Sequence, residues 1–235
     1  MRGARSRLTF DPADDLAPVW GLDSRTVYFT SDRSGVRSLY RVDALGLGQE
    51  QRVAAEPFSM NAESLSPDGR ALLFNAAGRG LWMWNLATQQ STPLVQSPSS
   101  DFEGSVSPDG HWLAYTSNVT GRPEVYVTSF PKPGRRWQIS NAGGTQAQWR
   151  ADGRELFYVE NDAQIMAVVV RTAVDAFAAD LPHQLFQRRL TLPFRNRFVV
   201  TRDGQRFLVN TPAETVQNSP LAVVVNWPAS VSDGQ

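Results

Sequence analysis

The sequence predicts an all-β protein, a β-propeller of about five four-stranded blades, and three observations support this fold class. A four-residue turn signal recurs along the chain, apolar residues flank each copy at fixed offsets, and the turn aspartates are spaced by 41 to 51 residues. Repeats of roughly this length, each with several short strands, are typical of propellers, whose blades pack face to face around an axis.

The turn is clearest at Ser66-Pro67-Asp68-Gly69 and at Ser107-Pro108-Asp109-Gly110. Weaker copies are Gly21-Leu22-Asp23-Ser24, Arg150-Ala151-Asp152-Gly153 and Thr201-Arg202-Asp203-Gly204. Proline presets φ, aspartate binds the neighbouring backbone, and glycine adopts the left-handed conformation that a tight turn needs. Each copy is therefore predicted to join two antiparallel strands, and its aspartate is predicted to be structural rather than a metal ligand.

The residues around each turn are apolar on both faces of the following strand. Counted from the turn aspartate, position −3 and positions +4, +5 and +6 are apolar in all five copies. A strand that is apolar on both faces is covered on both faces. This pattern predicts sheets that stack on one another.

The first three repeats follow one plan. Their predicted strands are Val19–Trp20, Thr26–Thr30, Leu39–Val42 and Gln51–Val53; then Ala71–Phe74, Leu81–Leu86 and Thr92–Val95; then Trp112–Thr116, Val125–Ser129 and Trp137–Ser140. Trp82 and Trp84, on the third strand of the second repeat, are predicted to point to opposite faces and to pack within the blade.

The last two repeats depart from the plan. The fourth has strands at Gln148–Trp149, Glu155–Val159, Ile165–Arg171 and Leu185–Phe186, and the irregular stretch Thr172–Pro182 is predicted to be a surface loop. The fifth has strands at Phe198–Thr201, Arg206–Asn210 and Leu221–Trp227 and lacks a fourth strand.

A short strand predicted at Arg7–Phe10 could fill this vacancy and close a five-bladed ring. The alternative is that the chain is part of a larger ring whose earlier blades are missing. The predicted organisation is residues 1–10 as an N-terminal strand, 11–228 as the propeller and 229–235 as a flexible tail.

Composition narrows the possible functions. The formal net charge is zero, so no general attraction to nucleic acid is expected. Cysteine is absent, and the longest apolar runs are too short to span a bilayer, so neither a thiolate metal site nor membrane insertion by this chain is predicted. No cofactor is expected.

The repeated turn and strand pattern resembles the TolB-like, WD-repeat-like propellers of bacterial proteins. The last third is more specific: Trp137-Gln138-Ile139-Ser140, Trp149-Arg150 and Arg206–Thr211 resemble the C-terminal propeller of bacterial serine/threonine protein kinases. This resemblance implies a sensory or protein-binding part beside a kinase domain. It also suggests an extracytoplasmic location, although the chain carries no export signal.

Catalytic motifs are absent from the sequence. It contains no glycine-rich phosphate loop, no His-Arg-Asp loop and no Asp-Phe-Gly, and the Gly-x-Ser-x-Gly elbow of hydrolases is missing. His111 and His183 are predicted to be surface residues. The sequence therefore predicts a non-enzymatic binding module, with a TolB-like envelope component or a five-bladed glycosidase-like enzyme with axial carboxylates as alternatives.

Polar residues precede each inner strand, where loops would rim the axial opening of a propeller. These candidate ligand-binding residues, called the rim residues below, are Asp15, Glu63, Asp101, Glu103, Gln146 and Arg197. Carboxylates, an amide and a guanidinium in one mouth could bind a protein or peptide, or a small solute. A possible anion-binding face comprises Arg135, Arg136, Arg188, Arg189, Arg195 and Arg197.

Overall fold

The computed structural model of the chain describes residues 7–161, 163–173, 176–190 and 197–212, and the backbone of 222–225. These residues form twenty strands and no helix. The strands are β1 (Asp15–Trp20), β2 (Thr26–Ser31), β3 (Ser38–Asp43), β4 (Gln51–Ala54), β5 (Met60–Leu65), β6 (Ala71–Ala76), β7 (Gly80–Asn85), β8 (Gln90–Val95), β9 (Asp101–Val106), β10 (Trp112–Ser117), β11 (Glu124–Ser129), β12 (Arg136–Gln138), β13 (Thr145–Trp149), β14 (Glu155–Glu160), β15 (Gln164–Ala173), β16 (Ala176–Ala179), β17 (His183–Gln187), β18 (Phe198–Val200), β19 (Arg206–Val209) and β20 (Ala222–Val225).

The strands form five antiparallel sheets in chain order, which confirms the predicted all-β architecture of successive sheets. The first three sheets are four-stranded, with orders β1-β2-β3-β4, β5-β6-β7-β8 and β9-β10-β11-β12. The fourth contains β13 to β17, and the fifth contains β18-β19-β20 among the described residues. The chain divides into two compact units, Met1–Ser97 with the first two sheets and Pro98–Gln235 with the other three.

Within each unit the sheets pack by one rule. The face that carries the +5 residue of one sheet meets the face that carries the +4 and +6 residues of the next sheet. Tyr28 thus packs with Leu72 and Phe74 in the first unit. In the second unit Ala114 packs with Leu156 and Tyr158, and Phe157 packs with Phe207 and Val209. The doubly apolar strands of the repeat are explained by this stacking.

The outer flank of the fourth sheet differs from the prediction of a loop at Thr172–Pro182. Strand β15 continues to Ala173, and β16 folds back on it with Val170 opposite Ala179. Phe177 of β16 is buried, and its ring lies 5.2 Å from that of Trp112 and 5.3 Å from that of Trp137. The loop prediction is wrong because an aromatic anchor on the third sheet stabilises a hairpin there.

The N-terminal segment also differs from the prediction. Residues 7–10 form no strand, so the strand predicted at Arg7–Phe10 is wrong. Leu8 instead packs against Val27, Phe29, Tyr40 and Val42, the buried cluster on the outer face of the first sheet. Closure of a ring stays a prediction, and the predicted tail at residues 229–235 lies outside the described residues.

Candidate functional site

The turn aspartates make local structural contacts, as the sequence predicts. In the second repeat, Asp68 Oδ1 accepts hydrogen bonds from Ser66 Oγ at 2.6 Å and from the Arg70 amide at 3.0 Å. The Gly69 amide donates to the Ser66 carbonyl at 2.9 Å, and Gly69 has a φ of +71°. The third and fifth turns repeat these contacts, with Thr201 in place of serine in the fifth.

The two degenerate turns replace the missing serine by other donors. Asp23 accepts from the amide and hydroxyl of Thr26 and from the Arg25 amide, and these bonds lower its pKa to about 2. Asp152 accepts from the Arg150 guanidinium, and this bond, with that from the Arg154 amide, lowers its pKa to about 2. Among the described residues, no three or more His, Asp or Glu side chains are grouped so as to hold a metal ion.

The first strands of the sheets carry a repeated irregularity at the position of the rim residues. Pairing with the second strand shifts register within β1, β5, β9 and β13, as at a β-bulge. Ala17, Glu103 and Gln146, all six residues before a turn aspartate, have φ of +51°, +59° and +56°. Since bulges re-aim side chains and non-glycine residues rarely adopt positive φ, these positions are fixed by their surroundings.

Three rim residues of the second unit are connected across three sheets. Glu103 Oε2 accepts hydrogen bonds from Thr116 Oγ1 and from the backbone N–H of Gln146, both at 2.8 Å. Gln146 Oε1 in turn accepts from the Arg197 amide at 2.9 Å. The side chain at each bulge thus accepts from the backbone of the equivalent residue in the next sheet.

Of the two charged residues in this set, Arg197 is more deeply buried than Glu103. It is 4% exposed, and its Nη2 donates to Thr145 Oγ1 at 2.5 Å. A buried guanidinium requires hydrogen-bond partners, and the start of β13 supplies one. Glu103, Gln146 and Arg197 of the second unit are therefore joined in one hydrogen-bonded network, in which Gln146 and Arg197 are buried.

The first unit makes the same link with different residues. Its bulge residue Ala17 has no side-chain acceptor, and Thr30 Oγ1 accepts directly from the Ala62 amide at 2.8 Å. Thr30 and Thr116 both lie seven residues after their turn aspartate. Glu63 lies next to Ala62 within the β5 bulge and is half-buried.

Asp15 and Asp101 occupy equivalent positions, each at the start of a first strand and opposite a serine of the second strand. The Asp15 carboxylate accepts from Arg33 Nη2 at 2.9 and 3.0 Å. Burial by itself would raise the pKa of Asp15, but hydrogen bonds from Ser31, Thr9 and Arg33 outweigh it and lower the pKa. Asp101 is fully buried.

The other residues singled out from the sequence have simple environments. His111 and His183 are exposed, as predicted. Trp82 packs on Phe58 and Phe74, and Trp84 is buried in the same core cluster. The prediction that these two side chains lie on opposite faces is wrong, because residues two apart on a strand share a face. Of the arginines in the possible anion-binding face, Arg135 lies over the ring of Trp137 and Arg136 over that of Tyr126. Arg195 lies outside the described residues.

A buried carboxylate at the start of β11 was missed by the sequence analysis. Glu124 accepts from Arg122 Nε at 2.6 Å, from the Gly143 amide at 3.1 Å and from Ser140 Oγ. It lines a cleft of about 380 Å³ with Thr120, Gly121, Arg122 and Gln138. Arg122, two residues before Glu124, is the only partner that the nearby sequence could have indicated. The other two partners of the carboxylate lie 16 and 19 residues away. These bonds tie the loop before β13 to the third sheet.

The described residues contain no helix of the length and hydropathy required to cross a membrane.

Solved structures of other proteins resemble this chain. TolB from Acinetobacter baumannii aligns over 91% of this chain and 52% of its own, with 18% identity and a TM-score of 0.68. The β-propeller domain of Cps50 (Swd1) from Myceliophteria thermophila aligns over 91% of this chain and 69% of its own, with 15% identity and a TM-score of 0.64. Oligogalacturonate lyase from Vibrio parahaemolyticus aligns over 94% of this chain and 78% of its own, with 12% identity and a TM-score of 0.54.

Identities this low show a shared fold and leave function open. This chain spans about half of the length of the Acinetobacter TolB chain that it resembles. The sequence profile of the TolB beta propeller domain matches residues 44–181. Since this match includes more than half of the 235 residues, the chain belongs to the TolB β-propeller domain family.

Proposed function

We propose that this chain is a non-catalytic binding module that takes a protein or peptide segment at its rim residues. One observation carries the proposal: Glu103, Gln146 and Arg197, from three successive sheets, contact one another in a row. A rim built this way holds a carboxylate, an amide and a guanidinium at fixed positions. Such a set offers both donors and acceptors, which suits the alternating groups of a peptide.

The backbone geometry gives further support. Residues held at positive φ cost free energy and occur where the surrounding structure constrains them, often at ligand sites. Glu103 and Gln146 are both held this way. In the first unit, Asp15 begins β1 and Glu63 lies within the β5 bulge, and we propose that they take part in binding within that unit.

Selection of peptides from a displayed random library on the immobilised chain tests the proposal. Selected peptides are expected to bind Arg197→Gln and Glu103→Gln variants at least about tenfold more weakly, a loss of about 1.4 kcal/mol. Arg202→Gln, at the exposed fifth turn, is the matched control, and thermal unfolding establishes that each variant is folded. Peptides that bind all three variants equally would place the binding site elsewhere and contradict the proposal.

We also propose that the module is the sensory part of a bacterial serine/threonine kinase-type protein. The support is the sequence resemblance of Trp137–Ser140 and Arg206–Thr211 to such proteins. A TolB-like envelope component that holds partner proteins is the alternative. The coding sequence upstream of Met1 decides between them: a kinase domain and a membrane span are expected, and an upstream region that encodes neither would contradict the kinase context.

The competing class is a glycosidase-like enzyme that uses Glu63 and Glu103. In the structure, Oε2 of Glu103 accepts hydrogen bonds from Thr116 and Gln146, and a general acid or base at this oxygen would have to break them, which counts against this class. Incubation with a panel of oligosaccharides is expected to release no product. Turnover that is lost in folded Glu63→Gln and Glu103→Gln variants would establish an enzyme instead.

A further inference from the structure

The hairpin of β15 and β16 is an addition to the repeat. β16 is the outer strand beside the C-terminal part of β15, and β17 is the outer strand beside its N-terminal part. Strand β14 pairs with β15 only as far as Val169, while β16 pairs with Val170–Ala173. The hairpin therefore projects beyond the four-stranded plan. A two-stranded hairpin is marginal by itself, and the contacts of Phe177 with Trp112 and Trp137 stabilise it.

Two hydrogen bonds determine which backbone groups of β16 face outward. The Asp180 amide donates to the Val169 carbonyl, and the Val170 amide donates to the Arg154 carbonyl on the opposite side. Hydrogen-bonded pairs alternate along an antiparallel ladder. The N–H and C=O groups of Phe177 and Ala179 consequently point away from β15, along the outer edge.

The edge of β16 lacks the features that protect other outer strands. Exposed edges are commonly blocked by charged residues or proline, and the outer strands β4, β8 and β12 contain Arg52, Pro93 and Arg136. The outer strand β17 likewise has a proline, Pro182, directly before its first residue. The sequence of β16 is Ala-Phe-Ala-Ala, without charge or proline, and Ala176, Ala178 and Ala179 are exposed.

We propose that two copies of this chain associate through β16, edge to edge and antiparallel, with Ala178 opposite Ala178 of the second copy. This register places the outward groups of Phe177 opposite those of Ala179 of the second copy, so that both pairs exchange backbone hydrogen bonds. At the twofold position of the exposed face, the methyl groups of the two Ala178 residues meet. Asp180, which pairs with Arg171 at 2.7 Å, lies opposite Ala176 of the second copy, so no like charges oppose each other.

A charge-swap experiment at Ala178 tests this register. Light scattering and sedimentation of the whole chain are expected to show a dimer for wild type. Ala178→Lys and Ala178→Glu each place like charges at the twofold position, so each variant is expected to self-associate about tenfold or more weakly. An equimolar mixture of the two variants is expected to recover the dimer. Ala179→Pro removes an outward N–H without touching the ladder to β15 and is also expected to be monomeric.

Leu181→Lys is the control, because Leu181 is 87% exposed and follows the strand. Loss of the dimer in this variant, with the Ala178 variants unaffected, would indicate nonspecific apolar association and overturn the proposal. A monomeric wild type over a wide concentration range would overturn it as well. A monomer that binds a synthetic peptide with the sequence of residues 176–181 would show that the edge can take a strand although two whole copies do not associate, and it would also overturn the proposal.

Discussion

At the scale of single residues, the turn aspartate combines two contacts in one carboxylate oxygen. In the second repeat, Oδ1 of Asp68 accepts from a hydroxyl and from a backbone amide, and the Ser66 hydroxyl in turn accepts from the Ala71 amide at 2.9 Å. The hydrogen bonds from Ser66 and the Arg70 amide lower the pKa of Asp68. The same contacts recur in repeats whose other turn residues differ, so the carboxylate is the part of the motif that the fold requires.

Replacement of Asp68 by alanine is expected to destabilise the protein by about 0.5–2 kcal/mol, because two donors lose their acceptor. Asp68→Asn retains an oxygen and is expected to cost less. Asp14→Ala, at an exposed aspartate outside the turns, serves as the control. Denaturant unfolding measures the differences, and equal midpoints for the alanine and asparagine variants would show that the side-chain oxygen is dispensable.

The pKa values of Asp23 and Asp152 predict a loss of stability in acid. Both are about 2 in the folded protein, below the value near 3.8 of an unperturbed aspartate. Each carboxylate therefore contributes stability that is fully present above about pH 4 and is lost as the pH falls toward 2. Unfolding free energies measured across this range are expected to fall less steeply in the Asp23→Asn, Asp152→Asn double variant. An unchanged slope would assign acid sensitivity to other groups.

At the scale of elements, neighbouring sheets of the second unit are joined at the starts of their first strands by side-chain hydrogen bonds from the bulge residues. Glu103→Ala removes the acceptor of the Gln146 amide and of the Thr116 hydroxyl. Buried donors left without this acceptor are expected to cost about 1–3 kcal/mol, and the Gln146 amide is expected to exchange its hydrogen faster. Glu103→Gln keeps an oxygen and is expected to be milder. Hydrogen exchange that leaves Gln146 unaffected would show that the link is unimportant for stability.

The hairpin of β15 and β16 depends on one aromatic side chain. Phe177→Ala is expected to cost about 3 kcal/mol, since buried phenylalanine truncations commonly cost this much. Exchange is expected to accelerate in Val170–Ala173 and in β16, because a hairpin without its anchor is marginal. Phe177→Leu retains most of the apolar contact and is the control. Retained protection of β16 in the alanine variant would show that the ladder alone holds the hairpin.

The elements that the sequence predicts are specified by residues close to them in the chain, whereas the missed elements are stabilised by residues far away in the chain. The turns and the second strands could be predicted because their signals lie within a few residues, as in Ser66–Gly69 and Ala71–Phe74. β16 was missed because alanine has low strand propensity and its stabilisation comes from Trp112 and Trp137 on another sheet.

The candidate site shows the same limit. The sequence identified Glu103, Gln146 and Arg197 as polar residues ahead of inner strands. It gave no sign of the bulges or of the contacts between sheets, because both depend on how neighbouring repeats pack. Glu124 was missed for the same reason, since the hydroxyl and amide that bind it come from the following loop.

At the scale of the whole molecule, the balance of charge predicts how a partner would approach. The chain has 23 basic and 23 acidic residues, and the rim residues include both signs. Long-range electrostatic steering requires an excess of one sign and weakens with added salt. Association of a selected rim-binding peptide is therefore expected to depend little on ionic strength, with rate constants that change by less than about tenfold between low and high salt.

Surface binding kinetics at several salt concentrations measure this dependence. Arg197→Gln is expected to raise the dissociation rate more than it lowers the association rate, because an enclosed contact acts after encounter. A lysine-rich peptide of unrelated sequence is the control for nonspecific attraction and is expected to bind weakly at every salt concentration. A steep fall of the association rate with salt would show that a local cluster of charge, rather than the balanced rim, steers the partner, and would favour the arginine face that includes Arg135 and Arg136.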